Sequence, residues 1–147
     1  MWVQENVFQH RYEVTSDDID YLGHASNISV VRWIQEVSVA HSESVGFDFA
    51  AYQRLGAIFV IRRHEVDYLR SALRGDVLAV RTWIHSAAAA KTVRMTEVIK
   101  DDGTLMAKAT TTWGFIDVAT GRPTRIPDGV RTAFSQPPRG RDLAARS

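Results

Sequence analysis

The stretch DDIDYLGHASNISVVRWIQE, Asp17 to Glu36, decides how this chain is read. Two carboxylates, Asp18 and Asp20, stand just ahead of Gly23-His24, and the pattern then turns helical. Ile28, Val31, Ile34 and Val37, continued by Ala40 or His41 and Ser44 or Val45, recur at spacings of three and four, which predicts a helix with one buried face. Ser26 or Asn27 is the candidate N-cap and Gly46 the candidate stop. A carboxylate at a helix entrance has two uses. The unpaired N–H groups and positive end of the helix can stabilise a developing oxyanion while Asp20 attacks an acyl carbonyl or activates water, which is acyl transfer to water. The same spacing suits Asx turns and a cap, with His24 at the surface. Spacing alone leaves both open.

Upstream, Val7 to Val14 carries Phe8, Tyr12 and Val14 and suits a first strand. Downstream, Asp48 is a second N-cap, for a short helix through Ala50, Ala51, Tyr52 and Leu55 that ends at Gly56. The chain then changes character. AIFVIRRHEVDYL, DVLAVRTWIHS, KTVRMTEVIK and TLMAKATTTWGFIDV are rich in β-branched and aromatic residues and read as four strands. Arg74-Gly75-Asp76 and Asp101-Asp102-Gly103 are turn signals, the second a hairpin loop, and pairing of sequential neighbours in antiparallel fashion is the economical arrangement. In the second of these strands Leu78, Val80, Thr82 and Ile84 alternate with Ala79, Arg81, Trp83 and His85, so one face is apolar and one mixed. Such a sheet needs a cover, and the helix after Gly23 is the long amphipathic one available. Ala87 to Ala90 marks a loose strand end or bulge. Ala119 to Gly121 is a turn, Pro127-Asp128-Gly129 opens a terminal helix through Val130 and Phe134, and the polar segment 136–147 is expected to be a mobile tail.

The 147 residues suit one domain spanning 1–147, with a formal charge of +1 that gives no broad footprint for nucleic acid. The absence of cysteine removes disulfides, thiolate catalysis and zinc–thiolate sites. No apolar run approaches the roughly 20 residues of a membrane span, and MWVQENVFQHRYEV lacks a basic segment followed by an apolar one, so no membrane partner is expected and a soluble, cytoplasmic protein is. G-x-S-x-G, P-loop, G-x-G-x-x-G and H-E-x-x-H patterns are missing. A calcium loop begun at Asp18 would put Leu22 and Ser29 at ligand positions, and Asp18, Asp20 and His24 crowd one turn, so no metal site is expected.

Asp18-Ile-Asp20-Tyr-Leu-Gly23-His24-Ala-Ser-Asn27, followed by a helix with Trp33 and Glu36, resembles the D-x-D-x-x-G-H-x-x-N segment of the 4-hydroxybenzoyl-CoA thioesterase-like family of hot-dog-fold acyl-CoA thioesterases. IRRHEVDYLRSALRGDVLAVRTWI is similar to that family's central strands, and WGFIDVATGRPTRIP to its last strand and tail, so the likeness runs over roughly residues 8 to 130. Where many members read G-H-V-N-N, this chain has Ala25-Ser26 before Asn27, and Ser38 stands where several carry Arg. The resemblance implies an α+β hot-dog fold, a long helix wrapped by a curved antiparallel sheet of about five strands. It also implies a dimer or tetramer of identical chains with sites between protomers. Asp20 would be the base or nucleophile, the Gly23 and His24 amides the oxyanion hole, Asp18 a supporting residue counted with the substrate site, and Asn27 a polar substrate contact. Acyl-CoA is the implied substrate, coenzyme A being part of it and no further cofactor being needed. Carrier-protein thioesters are a known alternative in the family, and non-catalytic acyl or CoA binding another.

Arg62, Arg63 and His64 form a basic cluster that could meet the phosphates of coenzyme A, as could Arg70, Lys91, Arg94 or Arg125, although solvated sheet charge is the plainer reading of each. Glu36 suits either the pocket or a cross-dimer pair. Trp33, Trp83, Trp113 and His41 are expected in packed or interfacial positions. Ile28, Val31, Trp33, Ile58, Phe59 and Val60 lie in segments able to line an acyl pocket, and the lack of a polar residue beside them favours aliphatic or broad specificity.

Overall fold

In the computed structural model, which describes residues 6–137, the sequence order is β1 (Phe8–Glu13), a 3-10 turn (Ser16–Asp18), α1 (Asn27–Ser44), α2 (Phe49–Leu55), β2 (Ala57–Tyr68), β3 (Val77–Ala87), β4 (Lys91–Lys100), β5 (Leu105–Asp117) and α3 (Asp128–Phe134). Residues 1–5 and 138–147, the latter most of the expected tail, lie outside the described residues. Local chemistry sets the helix ends. The Ser26 hydroxyl accepts the Ser29 N–H at 3.0 Å and the Asp48 carboxylate accepts the Ala51 N–H at 2.8 Å, each satisfying an N-terminal amide that no turn of helix can reach. Gly56, at φ +72°, ends α2 in the left-handed conformation that a side chain disfavours.

The five strands form one antiparallel sheet in the order β1-β3-β4-β5-β2. This is the α+β arrangement expected, with one correction. β2 and β3 are not neighbours: β2 pairs with β5, from Ala57 opposite Asp117 to Tyr68 opposite Ala107, while β3 lies between β1 and β4. The chain between them is therefore a crossover and not a hairpin. It is held at the other side of the fold, where Gly75 N–H donates to the Val14 carbonyl, Val14 N–H donates to the Asp76 carbonyl, and Ala25 N–H donates to the Ala72 carbonyl.

α1 lies on the inner face of the sheet, with Val30, Trp33, Ile34 and Val37 packed against Phe8, Leu78, Val80, Val98 and Ala107. Trp33 is buried against Tyr12, the ring centroids 5.1 Å apart. The helix is rotated from the expected phase. Ile34, Val37 and His41 are buried, but Ile28 is 81% exposed and Val31 only half-buried, because Ser29 and Val30 turn inward in the first turn. A second apolar cluster, built from Tyr52, Ile84, Phe115, Ile126, Val130 and Phe134, gathers α2 and α3 at the far end of α1. No described helix is long and apolar enough to cross a membrane.

Candidate functional site

Asp18 and Asp20 sit two residues apart in opposite surroundings. The 3-10 turn swings Asp18 inward until it is fully buried. Its carboxylate accepts the Thr15 N–H at 2.9 Å, the Thr15 hydroxyl at 3.2 Å and the Tyr12 hydroxyl at 2.7 Å, and is ion-paired with Arg32. Burial pushes the Asp18 carboxyl up, but the donors from Thr15, Tyr12 and Arg32 outweigh it and hold the group below the usual carboxylate range. Burial and the same carboxylate raise the Tyr12 phenol. Asp18, counted above with the substrate site, thus has no surface to offer a substrate; it ties β1 to α1. Glu36 is the exposed outer member of this chain of charges, 3.8 Å from Arg32.

Asp20 follows a short bridge between Ile19 and Ala25 and is half-buried. Its N–H donates to the His24 carbonyl at 2.8 Å and its carbonyl accepts the Gly23 N–H at 3.0 Å. Its carboxylate accepts the Leu22 N–H at 2.9 Å, with the His24 N–H further off at 3.4 Å. Gly23, at φ +87°, supplies the left-handed residue that this tight loop needs. The Gly23 amide is accordingly engaged inside the loop, and the His24 amide only weakly. Among the described residues the N–H groups of Asn27 and Ile28, in the first turn of α1, have no hydrogen-bond partner. These two donors were not singled out from sequence, though the Ser26 cap that takes the next amide identifies them. The rim is apolar: Tyr21 is 95% exposed, and Leu22 and Ile28 stand out beside it. Asn27 opens onto a crevice of about 170 Å³ shared with Tyr68, Arg70 and Ser71.

The basic cluster on β2 is elsewhere in the protomer. Arg63 pairs with Glu65 at 3.5 Å and His64 Nδ1 is 2.9 Å from the Thr111 hydroxyl. Burial lowers the His64 imidazole. The Arg62 side chain lies across Gly114, where a Cβ would come within 2.9 Å of its Nε. None of the three shares a hydrogen bond or ion pair with the Asp20 loop.

At the opposite end of α1, on the order of 20 Å away by helical rise, is a cavity of about 180 Å³. Phe59, Ile84, Trp113, Ile126, Val130 and Phe134 line it. Ile58 and Phe59 are thus pocket residues, whereas Trp33 belongs to the core and Ile28 to the surface. Arg94 also lines it, and here the reading as solvated sheet charge is wrong: the residue is 4% exposed. The pattern of β4 explains why, since Thr92, Arg94, Thr96 and Val98 share the inward face. Arg94 Nη1 donates to His41 Nδ1 at 2.9 Å and to the Thr82 hydroxyl at 3.1 Å. His41 is fully buried, stacked on Phe8 at 5.4 Å and edge-on to Phe134 at 5.2 Å. Burial and the Arg94 charge push its imidazole down to about 2, so Nδ1 accepts from Arg94 and Nε2 carries the proton. Burial lowers Arg94 to about 10, which leaves it charged at neutral pH.

The Acyl-ACP thioesterase N-terminal domain family matches residues 5–134. Oleoyl-acyl carrier protein thioesterase 1 of Arabidopsis thaliana is 25% identical over 135 residues, covering 86% of this chain and 37% of that protein. The chain thus spans about a third of the length of the curated relatives it matches. A Staphylococcus aureus protein solved in complex with CoA superposes with a TM-score of 0.84 at 21% identity, over 90% of this chain and 85% of that one. A 1,4-dihydroxy-2-naphthoyl-CoA thioesterase from Synechocystis does so with a TM-score of 0.81 at 20% identity, over 87% and 95%. These likenesses establish the hot-dog fold.

Proposed function

Because this chain belongs to the Acyl-ACP thioesterase N-terminal domain family, we propose that it hydrolyses thioesters, with acyl-CoA as the substrate class and Asp20 as general base or nucleophile. The observation that carries the proposal is a half-exposed carboxylate at the mouth of α1, next to a helix turn whose Asn27 and Ile28 amides have no partner among the described residues. A carbonyl oxygen resting on those amides, with the His24 N–H as a further donor, would gain negative charge where donors are already oriented. Asp20 either takes a proton from the water that attacks the carbonyl carbon, or attacks that carbon itself to form an anhydride that water then hydrolyses to regenerate the carboxylate. In both routes the C–S bond breaks and the leaving sulfur takes up the proton that water gives, as free thiol. The Asp18–Asn27 motif, with its likeness to the 4-hydroxybenzoyl-CoA thioesterase-like family, supports CoA esters. Exposed Arg62 and Arg63, which share no hydrogen bond or ion pair with the Asp20 loop of their own protomer, would suit the phosphates of a substrate held between protomers.

Carrier-protein thioesters are the second reading, favoured by the family matched and by relatives named for that activity. Specificity constants on benzoyl-, phenylacetyl-, short, medium and long acyl-CoA, beside the same acyl groups on carrier protein, separate the two. Aliphatic CoA esters are expected to lead. Cleavage of carrier thioesters alone would install the second reading; an aromatic ester ahead by about two orders of magnitude, roughly 3 kcal/mol, would overturn the aliphatic preference; and no cleavage of any would leave a binding protein.

We also propose a homodimer at least. β2 is a 12-residue edge strand with one side unpaired within the protomer, and an open edge of that length is normally covered. Sedimentation at micromolar concentration is expected to show no monomer; a monomer would refute the assembly.

A further inference from the structure

We propose that the cavity between the C-terminal end of α1, β4 and α3 is a binding site for a small monocarboxylate with an apolar body, its carboxylate held by Arg94. The site is distinct from the Asp20 loop and does not depend on the thioesterase reading. A buried cation normally has an anionic neighbour, because removing an isolated charge from water costs several kcal/mol. Among the described residues Arg94 has no carboxylate partner. Its neutral partners, His41 and Thr82, both take hydrogen bonds from Nη1. Nε is buried without a partner, and no described hydrogen bond uses Nη2. The Nε–Nη2 edge is the side of a guanidinium that grips a carboxylate with two parallel bonds.

Charge and shape choose the ligand class. His41 is neutral, and Arg131, the other cation lining the cavity, spends its Nε and Nη2 on the carbonyls of Ile126, Ala88 and Ala89. The buried charge left to be met is that of Arg94, which one carboxylate balances and a phosphate dianion would exceed. The walls are aromatic and aliphatic and would leave further anionic oxygens unsolvated. At the rim, exposed Glu43 and Asp48 disfavour multiply charged anions. An apolar cavity of ~150 Å³ accepts benzene, so about 180 Å³ suits a ring or a short branched chain.

The test is titration of the full chain with benzoate and hexanoate, read by calorimetry and by the change in tryptophan emission, to which Trp113 in the cavity wall contributes. Saturable binding at one site per chain is expected, with benzamide and hexanamide about 10- to 100-fold weaker for want of the charge. Arg94→Met should lose that preference for the acid; it removes a buried charge but also the donor to His41 Nδ1, so its thermal unfolding is measured beside its binding. Should that variant not fold, Val130→Trp fills the cavity with Arg94 in place, and it should abolish binding. Equal affinity for acid and amide, undiminished benzoate binding in Arg94→Met or Val130→Trp, or no saturation at millimolar concentration would each overturn the assignment.

Discussion

Asp20→Asn is expected to lower thioester hydrolysis by about a hundredfold or more while leaving the fold intact. The asparagine side chain keeps an oxygen that can accept the Leu22 N–H, so the loop persists, but it can neither take a proton from water nor attack a carbonyl. Asp18→Asn, the same atomic change two residues earlier, should do the reverse. Its carboxylate is fully buried and collects donors from Thr15, Tyr12 and Arg32, so loss of the charge weakens bonds made in the absence of water. A cost of about 3 kcal/mol in urea unfolding is expected, with the turnover of the molecules that remain folded largely kept. Because the substitutions match, nonspecific damage to the turn cannot mimic the contrast. Full turnover in Asp20→Asn, or unchanged urea midpoints in Asp18→Asn, would reassign the two carboxylates.

Stability should fall steeply as pH drops below about 6.5, before the carboxylates titrate. His41 is pushed down to about 2 in the folded chain, chiefly by burial, while an unfolded histidine takes up its proton near 6.5. Between those values the unfolded state binds one proton more, so its contribution to stability is whole above about 6.5 and declines by about 1.4 kcal/mol for each pH unit below. His10 and His64, also lowered by burial, add to the same slope. Asp18 acts later: its depressed carboxyl stabilises above the ordinary aspartate range and loses that effect only as pH falls below about 4. Urea midpoints at about pH 7, 6 and 5 give the slope, and His41→Gln, which cannot titrate, should reduce it to the share carried by His10 and His64. A wild-type midpoint constant over that interval would contradict the burial of a neutral His41.

What could be read from the chain in advance was the part decided within a few residues. Ser26, Asp48 and Gly56 act on amides or dihedral angles of their own turn, and the Pro127-Asp128-Gly129 start leads into α3 as its composition suggests. The phase of α1 was harder. Ile28–Val31–Ile34 and Val30–Trp33–Ile34–Val37 are both apolar at helical spacing, and periodicity does not choose between adjacent stripes. The choice came from the first turn, where Ser29 faces inward with its hydroxyl 3.2 Å from that of Ser26. Strand order lay outside local reach altogether, since it depends on the crossover held at Val14 and Ala25. Arg94 was legible and was overridden: its alternation with Thr96 and Val98 marks the inner face, but the charge argued for solvent. The cavity that makes Arg94 intelligible is assembled from α1, β2 and α3, which no sequence window spans.

The strand order also bears on how the chain finds its fold. β3, β4 and β5 follow one another through short turns and pair as they come, whereas Phe8 must meet Thr82 and Ala57 must meet Asp117 across most of the intervening chain. Closing a loop costs entropy before any contact repays it, and pairings distant along the chain are the slow ones. The central meander is therefore the part able to form first, as a three-stranded ribbon with both margins bare until β1 and β2 arrive. During that interval the chain presents two unpaired strand edges in place of the native ones, and crowding at high expression acts on that transient form and not on the finished protein.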